Sequence, residues 1–126
     1  MDKDNRAQVL ETYNRYLNAI NDGDMKTIND CIAYPLAYIG ADSVKMLQEF
    51  PIDPREWKKK TRWAKSNSFE IDVVAVSDKK AHVVLRNVRR LRDDGSLIEE
   101  ASGLYAFKIT KEGWKMYAFS DITFPA

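Results

Sequence analysis

Cysteine, histidine, proline and glycine are all scarce here: one Cys, one His, four Pro and five Gly among 126 residues. The lone Cys31 excludes an internal disulfide and any cysteine-based zinc site. A thiol nucleophile would need a nearby base, and His82 lies far along the chain on a predicted strand. Cys31 therefore reads as a small apolar filler near a helix end. No apolar run approaches the roughly 20 residues that cross a bilayer. The N-terminus, Met1 to Arg6, is polar and leads straight into an amphipathic pattern, so no secretory signal and a cytoplasmic location are expected. An excess of one charge is also missing. Twenty basic residues against nineteen acidic leave a formal charge of +1, which gives no global field for nucleic acid or an anionic membrane. The local run Lys58-Lys59-Lys60, with Arg62 and Lys65, reads as a solvated helix face. Nothing in the sequence calls for a metal or a cofactor.

What is present is the composition of a globular chain, 44% hydrophobic with three Trp, six Tyr and five Phe. The length fits one domain, residues 1–126, with no repeat, linker or low-complexity tract. Val9, Leu10, Tyr13, Tyr16, Leu17 and Ile20 recur at spacings of three and four, which predicts a helix over 7–21. Asn21-Asp22-Gly23-Asp24 stops it, and a second helix is expected from Met25 to Ala33. Pro35 ends that helix, and Leu36 to Ile39 reads as a strand. Ser43 to Phe50 reads as helical, and a further helix is expected over 54–64, opened by Pro54 in its first turn. Beyond Asn67 the period changes from 3.6 to 2. Four strands are predicted: 69–77, 80–92, 97–110 and 113–124, with Asp94-Gly95 as a hairpin signal. The fold class is thus α+β, a helical layer on a curved, mostly antiparallel sheet of four to six strands.

Pairing Ser77 with Lys80, Asp93 with Ser96 and Thr110 with Gly113 assigns residues to faces. The face toward the helices should carry Phe69, Ile71, Val73, Ala75, His82, Val84, Arg86 and Val88. It continues through Ala101, Gly103, Tyr105, Phe107, Ile109, Trp114, Met116, Ala118, Ser120 and Ile122. The opposite face then shows an apolar patch of Val74, Val76, Val83, Leu85, Leu104, Ala106, Tyr117 and Phe119 inside a charged rim that includes Asp121. Such a patch predicts a homodimer, with Val83, Leu85, Leu104, Tyr117 and Phe119 at its centre. A bulge near Asp94-Gly95 would exchange the faces for some strands.

The chain resembles the nuclear-transport-factor-2-like superfamily, in particular its polyketide-cyclase-like (SnoaL-like) branch. The residues that carry the resemblance are Val9 to Ile20 followed by Asn21-Asp22-Gly23-Asp24, then Tyr34-Pro35. Toward the end come Arg89 with Asp94-Gly95, Gly103-Leu104-Tyr105 and Gly113-Trp114-Lys115-Met116. The resemblance implies a cystatin-like roll, a cone in which the curved sheet wraps around the helices and leaves a pocket open at one end. Relatives of this kind include isomerases, dehydratases, epoxide hydrolases, cyclases and binding or assembly modules, so fold does not decide function. Catalytic members project carboxylates or histidines into the cone. Here the inner face, as assigned above, carries no Asp or Glu.

Arg86 is then the most informative side chain. A guanidinium on an apolar inner face needs a partner, either an internal carboxylate or the oxyanion of a ligand. His82, two strand positions away, is either a structural histidine or a base. Tyr105 and Ser120 would offer hydroxyls to the same cavity, and Tyr13, Tyr16, Trp57 and Trp63 would form its helical wall. The resemblance makes Asp121 a second acid/base candidate, since some cyclase-like relatives carry an acidic residue on a late strand. Arg89, Arg90 and Arg92 read as cross-strand partners of Glu99 and Glu100. The expected function is small-molecule binding in a mainly apolar pocket with one anion- or carbonyl-binding point. The alternatives are a cofactor-independent isomerase, cyclase or dehydratase, and a dimeric assembly module without a ligand.

Overall fold

A computed structural model describes residues 2–61, 63–67 and 70–125, with side chains placed for 4–57, 59, 60 and 70–124. The chain runs α1 (Asp2–Asp22), α2 (Met25–Asp30), β1 (Ile32–Ile39), β2 (Val44–Leu47), α3 (Pro54–Thr61), β3 (Trp63–Asn67), β4 (Glu70–Val76), β5 (Lys80–Arg92), β6 (Leu97–Thr110) and β7 (Gly113–Pro125). The strands form one sheet in the order β2-β1-β7-β6-β5-β3, with β4 also pairing with β5. β5 is long enough to hold two partners on one edge, β4 along Ala81 to Arg86 and β3 along Arg89 to Arg92. All pairings are antiparallel except β1 with β7. The sheet is curved and unclosed.

The stripe on α1 is buried as its spacing requires: Val9, Tyr13, Tyr16 and Ala19 enter the core, and Leu10, Leu17 and Ile20 pack at its edge. Gly23 takes φ 69°, a conformation that favours glycine, and lets the chain reverse. The amides of Gly23 and Asp24 donate back to Ile20 and Ala19 at 3.2 and 2.9 Å. The Asp24 carboxylate then caps α2 by accepting from the Thr27 amide at 3.2 Å. Ile28, Leu36, Phe107 and Met116 are fully buried in the same core, each contributing about 1.5–3 kcal/mol of transfer free energy.

Three of the expected helices differ from the structure. Residues 44–47 are a strand, not part of a helix; the amide of Gly40 donates to the Ser43 carbonyl at 2.9 Å, and the reversal pairs β2 with β1. A short apolar run has no decisive period of its own, so the pairing partner decides. The second helix stops at Asp30, because Ile32 already pairs with Met116 of β7. The third helix ends at Thr61, and residues 63–67 extend the sheet instead.

The larger correction concerns faces. The Asp94-Gly95 turn closes as a three-residue loop, with Arg92 amide to Ser96 carbonyl at 2.9 Å and Gly95 at φ 85°. Farther along β5 the register slips again between Leu85 and Val88, where Asn87 adopts φ 60° and its amide donates to Ser102 Oγ at 3.2 Å. Asn is among the few residues that tolerate this conformation. The bulge turns Ala81, Val83 and Leu85 inward and sends His82, Val84 and Arg86 outward, reversing the expected assignment. A second slip, at Tyr117 on β7, brings Phe119 inward with Asp121 following it, and puts Ser120 and Ile122 outside. A third, at Val74 on β4, leaves Ala75 exposed. Ile109 and Ala118 are likewise not core residues, and the side chain of Phe69 lies outside the described residues. Val83, Leu85 and Phe119 are therefore interior residues and cannot form the dimer surface assigned to them.

Candidate functional site

The concave side of the sheet and one flank of α1 enclose a cavity of about 210 Å³. From α1 it is lined by Asn14, Tyr16, Leu17, Asn18, Ile20 and Asn21, and from α3 and the loop before it by Ile52, Pro54 and Trp57. The sheet supplies Leu85, Val88 and Arg90 from β5, Glu99 and Tyr105 from β6, and Asp121 from β7.

Each wall has a local cause. Asp53 opens α3 by accepting from the amides of Arg55 and Glu56 at 3.0 and 3.4 Å, and Pro54 occupies the first turn. That start fixes where Trp57 projects. Gly103 makes room for the Tyr105 ring: an added Cβ would lie 3.1 Å from a ring carbon, 3.2 Å from the hydroxyl and 3.3 Å from the Ser120 carbonyl. Tyr105 thereby lies close against its own strand, with its ring centroid 4.9 Å from Tyr13 and 6.3 Å from Tyr16. The floor of the cavity is thus aromatic.

The polar groups come in two sets. Arg90 donates to Glu99 at 2.9 Å across β5 and β6, both side chains about three-quarters buried, and its guanidinium lies 5.8 Å from the Trp57 ring centroid. The ring face and the carboxylate together hold the guanidinium in place. Nearer the rim, the Tyr38 hydroxyl donates to Asp121 Oδ1 at 3.3 Å. The Asp121 carboxylate beside it, followed by burial, holds the Tyr38 hydroxyl above the usual value of 10.0. Burial pushes Tyr16 well above the same value and raises Tyr105 too. Both phenols thus remain protonated donors across the physiological range. Tyr13 is fully enclosed and also raised by burial. The neighbouring Tyr105 hydroxyl raises it further, and Tyr13 Oη completes no hydrogen bond among the described residues.

Of the residues singled out from the sequence, Tyr16, Trp57, Tyr105 and Asp121 meet at this cavity. Tyr13 lies behind it in the core. Arg86 does not reach it: on the outer face it approaches Asp72 at 3.7 Å, both side chains about half exposed. His82 is exposed on the same outer face, paired in register with Ala75 and Ala106, and Ser120 pairs there with Leu104. The Trp63 side chain lies outside the described residues, although its backbone pairs with Arg92. Asn14, Asn18, Arg90 and Glu99 were not expected at a site. Arg90 and Glu99 read as an ordinary cross-strand pair; the spacing Val83, Leu85, Val88, which breaks alternation by one residue, is the signal that moves them inward. Among the described residues, no group of three or more His, Cys, Asp or Glu is placed to hold a metal, and no helix is long and apolar enough to cross a membrane.

No protein-family profile and no curated protein matches the chain. Solved structures do. A candidate dehydratase of the nuclear-transport-factor-2-like family from Streptomyces avermitilis superposes with TM-score 0.69 at 18% identity, over 96% of this chain and 97% of that one. A candidate aromatic ring hydroxylase from Novosphingobium aromaticivorans gives TM-score 0.67 at 13% identity, over 100% and 96%. A ketosteroid isomerase-like protein from Erwinia carotovora atroseptica gives 0.62 at 15%, over 95% and 96%. At such identities the likeness establishes the fold, which is nuclear-transport-factor-2-like over essentially the whole chain.

Proposed function

We propose that this fold serves as a small-molecule-binding protein whose ligand lies in the cavity between Trp57 and the Tyr16–Tyr105 floor. The observation that carries the reading is the cavity itself, about 210 Å³ with an aromatic and aliphatic lining and a few convergent polar groups. The polar contact point expected at Arg86 moves to Arg90. A carbonyl or hydroxyl of the ligand meets the guanidinium that Glu99 and Trp57 hold in place. Titration of the amide NMR spectrum with benzyl alcohol tests this. Shifts are expected to cluster at Tyr16, Trp57, Val88, Tyr105 and Asp121. Shifts confined to the outer face, or none at all, would favour the assembly module.

A second reading is favoured by one arrangement: the Asp121 carboxylate shares the cavity with the protonated hydroxyls of Tyr16 and Tyr105. That set suits a cofactor-independent isomerase, cyclase or dehydratase of the SnoaL-like kind. Asp121 would take a proton from carbon next to a carbonyl, and a tyrosine would donate to the developing oxyanion. Proton–deuterium exchange into a cyclic ketone, lost in Asp121→Asn, would support it. The absence of exchange in the wild type leaves the binding reading in place.

The outer face supports a homodimer by a revised set of residues. Val74, Leu104, Ile122 and Phe124 are all more than two-fifths exposed on this side of the sheet, and Tyr117 lies beside them under Lys108.

A further inference from the structure

We infer that the cavity selects neutral or cationic ring compounds bearing hydrogen-bond donors, hydroxyls or amines, and rejects carboxylates. The inference rests on the binding reading above and names the ligand class of the same site. Its basis is the charge and hydrogen-bond inventory of the lining. Among the described lining residues Arg90 is the single cation, against two carboxylates, Glu99 and Asp121. The guanidinium is already committed to Glu99 at 2.9 Å and lies over Trp57. An incoming carboxylate would therefore find the one cation among the described lining residues neutralised and would still face Asp121.

The hydrogen-bonding groups point the same way. Carboxylates accept and cannot donate, so Glu99 and Asp121 are matched only by ligand O–H or N–H groups. Asp121 is exposed and has one partner among the described residues, the Tyr38 hydroxyl at 3.3 Å, which leaves most of its acceptor capacity open. Across the cavity, Asn14 and Asn18 lie one turn apart on α1, exposed and without a hydrogen bond among the described residues. Their carboxamides donate and accept, so they suit a hydroxyl or amine and impose no charge requirement. Trp57, Tyr16 and Tyr105 supply flat apolar surface for the ring.

Benzyl alcohol, benzylamine and benzoate share one ring and differ in charge, and are titrated separately into the wild-type protein while cavity amides are followed by NMR. Benzyl alcohol and benzylamine are expected to bind about tenfold or more tightly than benzoate, the scale on which like-charge contacts discriminate. Asp121→Asn is expected to narrow the gap between benzylamine and benzoate. Glu99→Gln, which frees the Arg90 guanidinium, is expected to narrow or invert it. Benzoate binding as tightly as benzylamine in the wild type overturns the inference and leaves the binding reading standing. An unchanged ratio in both variants does the same. If none of the three probes moves the cavity amides, the binding reading fails and this inference falls with it.

Discussion

Tyr13 sits at the centre of the aromatic cluster with its hydroxyl enclosed beside that of Tyr105, completing no hydrogen bond of normal geometry among the described residues. An enclosed donor without a partner costs about 1–3 kcal/mol. Tyr13→Phe should therefore leave stability unchanged or raise it in urea denaturation, and a loss of more than about 1 kcal/mol would reveal a partner for the hydroxyl. Gly103 gives a steric prediction. Gly103→Ala would press a Cβ on the Tyr105 ring and the Ser120 carbonyl, so stability should fall by about 1–3 kcal/mol, with the Tyr105 resonances displaced. The tyrosines also set the alkaline limit. For Tyr13, Tyr16 and Tyr105 the folded value is raised above 10.0 by burial. Their burial in the neutral form thus contributes stability in full below pH 10.0, and that contribution is lost as pH rises through the folded value. Tyrosinate absorbance from these three should rise cooperatively with loss of circular dichroism. Gradual ionisation of a folded protein would contradict the enclosure described.

Among the elements, β5 decides where the chemistry lies. One residue, Asn87 at φ 60°, separates a cavity containing Arg90 from one containing Arg86 and His82. Asn87→Val should destabilise by about 1–2 kcal/mol, since a β-branched residue resists this conformation, whereas Asn87→Gly should be tolerated. Equal stability of the two variants would mean that the bulge is not fixed there. The same residue marks the limit of what the sequence discloses. The α1 stripe, the Gly23-Asp24 break, the Pro54 start and the long β5–β6–β7 meander all follow from period, caps and turn chemistry. Tyr16, Trp57 and Tyr105 reach the cavity for that reason. Bulges are harder, because each shifts the register by one residue. On β5 the one hint is the broken spacing Val83, Leu85, Val88, and Val84 between them lets the opposite face look equally apolar. β2 is obscure for another reason: a four-residue strand carries too few side chains to show a period, and only its pairing with β1 across the Gly40–Ser43 reversal fixes it as a strand.

At the scale of the whole molecule, the curved sheet has a wet face and a lined face, and the proposals divide between them. On the outer face Leu104→Glu should convert a dimer to monomer in sedimentation equilibrium without altering circular dichroism. A wild type that is monomeric at high concentration would instead leave the exposed Val74, Ile122 and Phe124 without a role in pairing. On the inner face the central claim is that the ligand site is the cavity between α1 and the sheet, not the position of His82 and Arg86. The most direct measurement is the affinity for benzyl alcohol of the wild type, of Leu17→Trp, which fills the cavity from α1, and of a paired His82→Ala, Arg86→Ala variant. Binding abolished by Leu17→Trp and retained by the paired variant is the result expected. Binding retained by Leu17→Trp and lost in the paired variant would place the site on the opposite face and contradict the account.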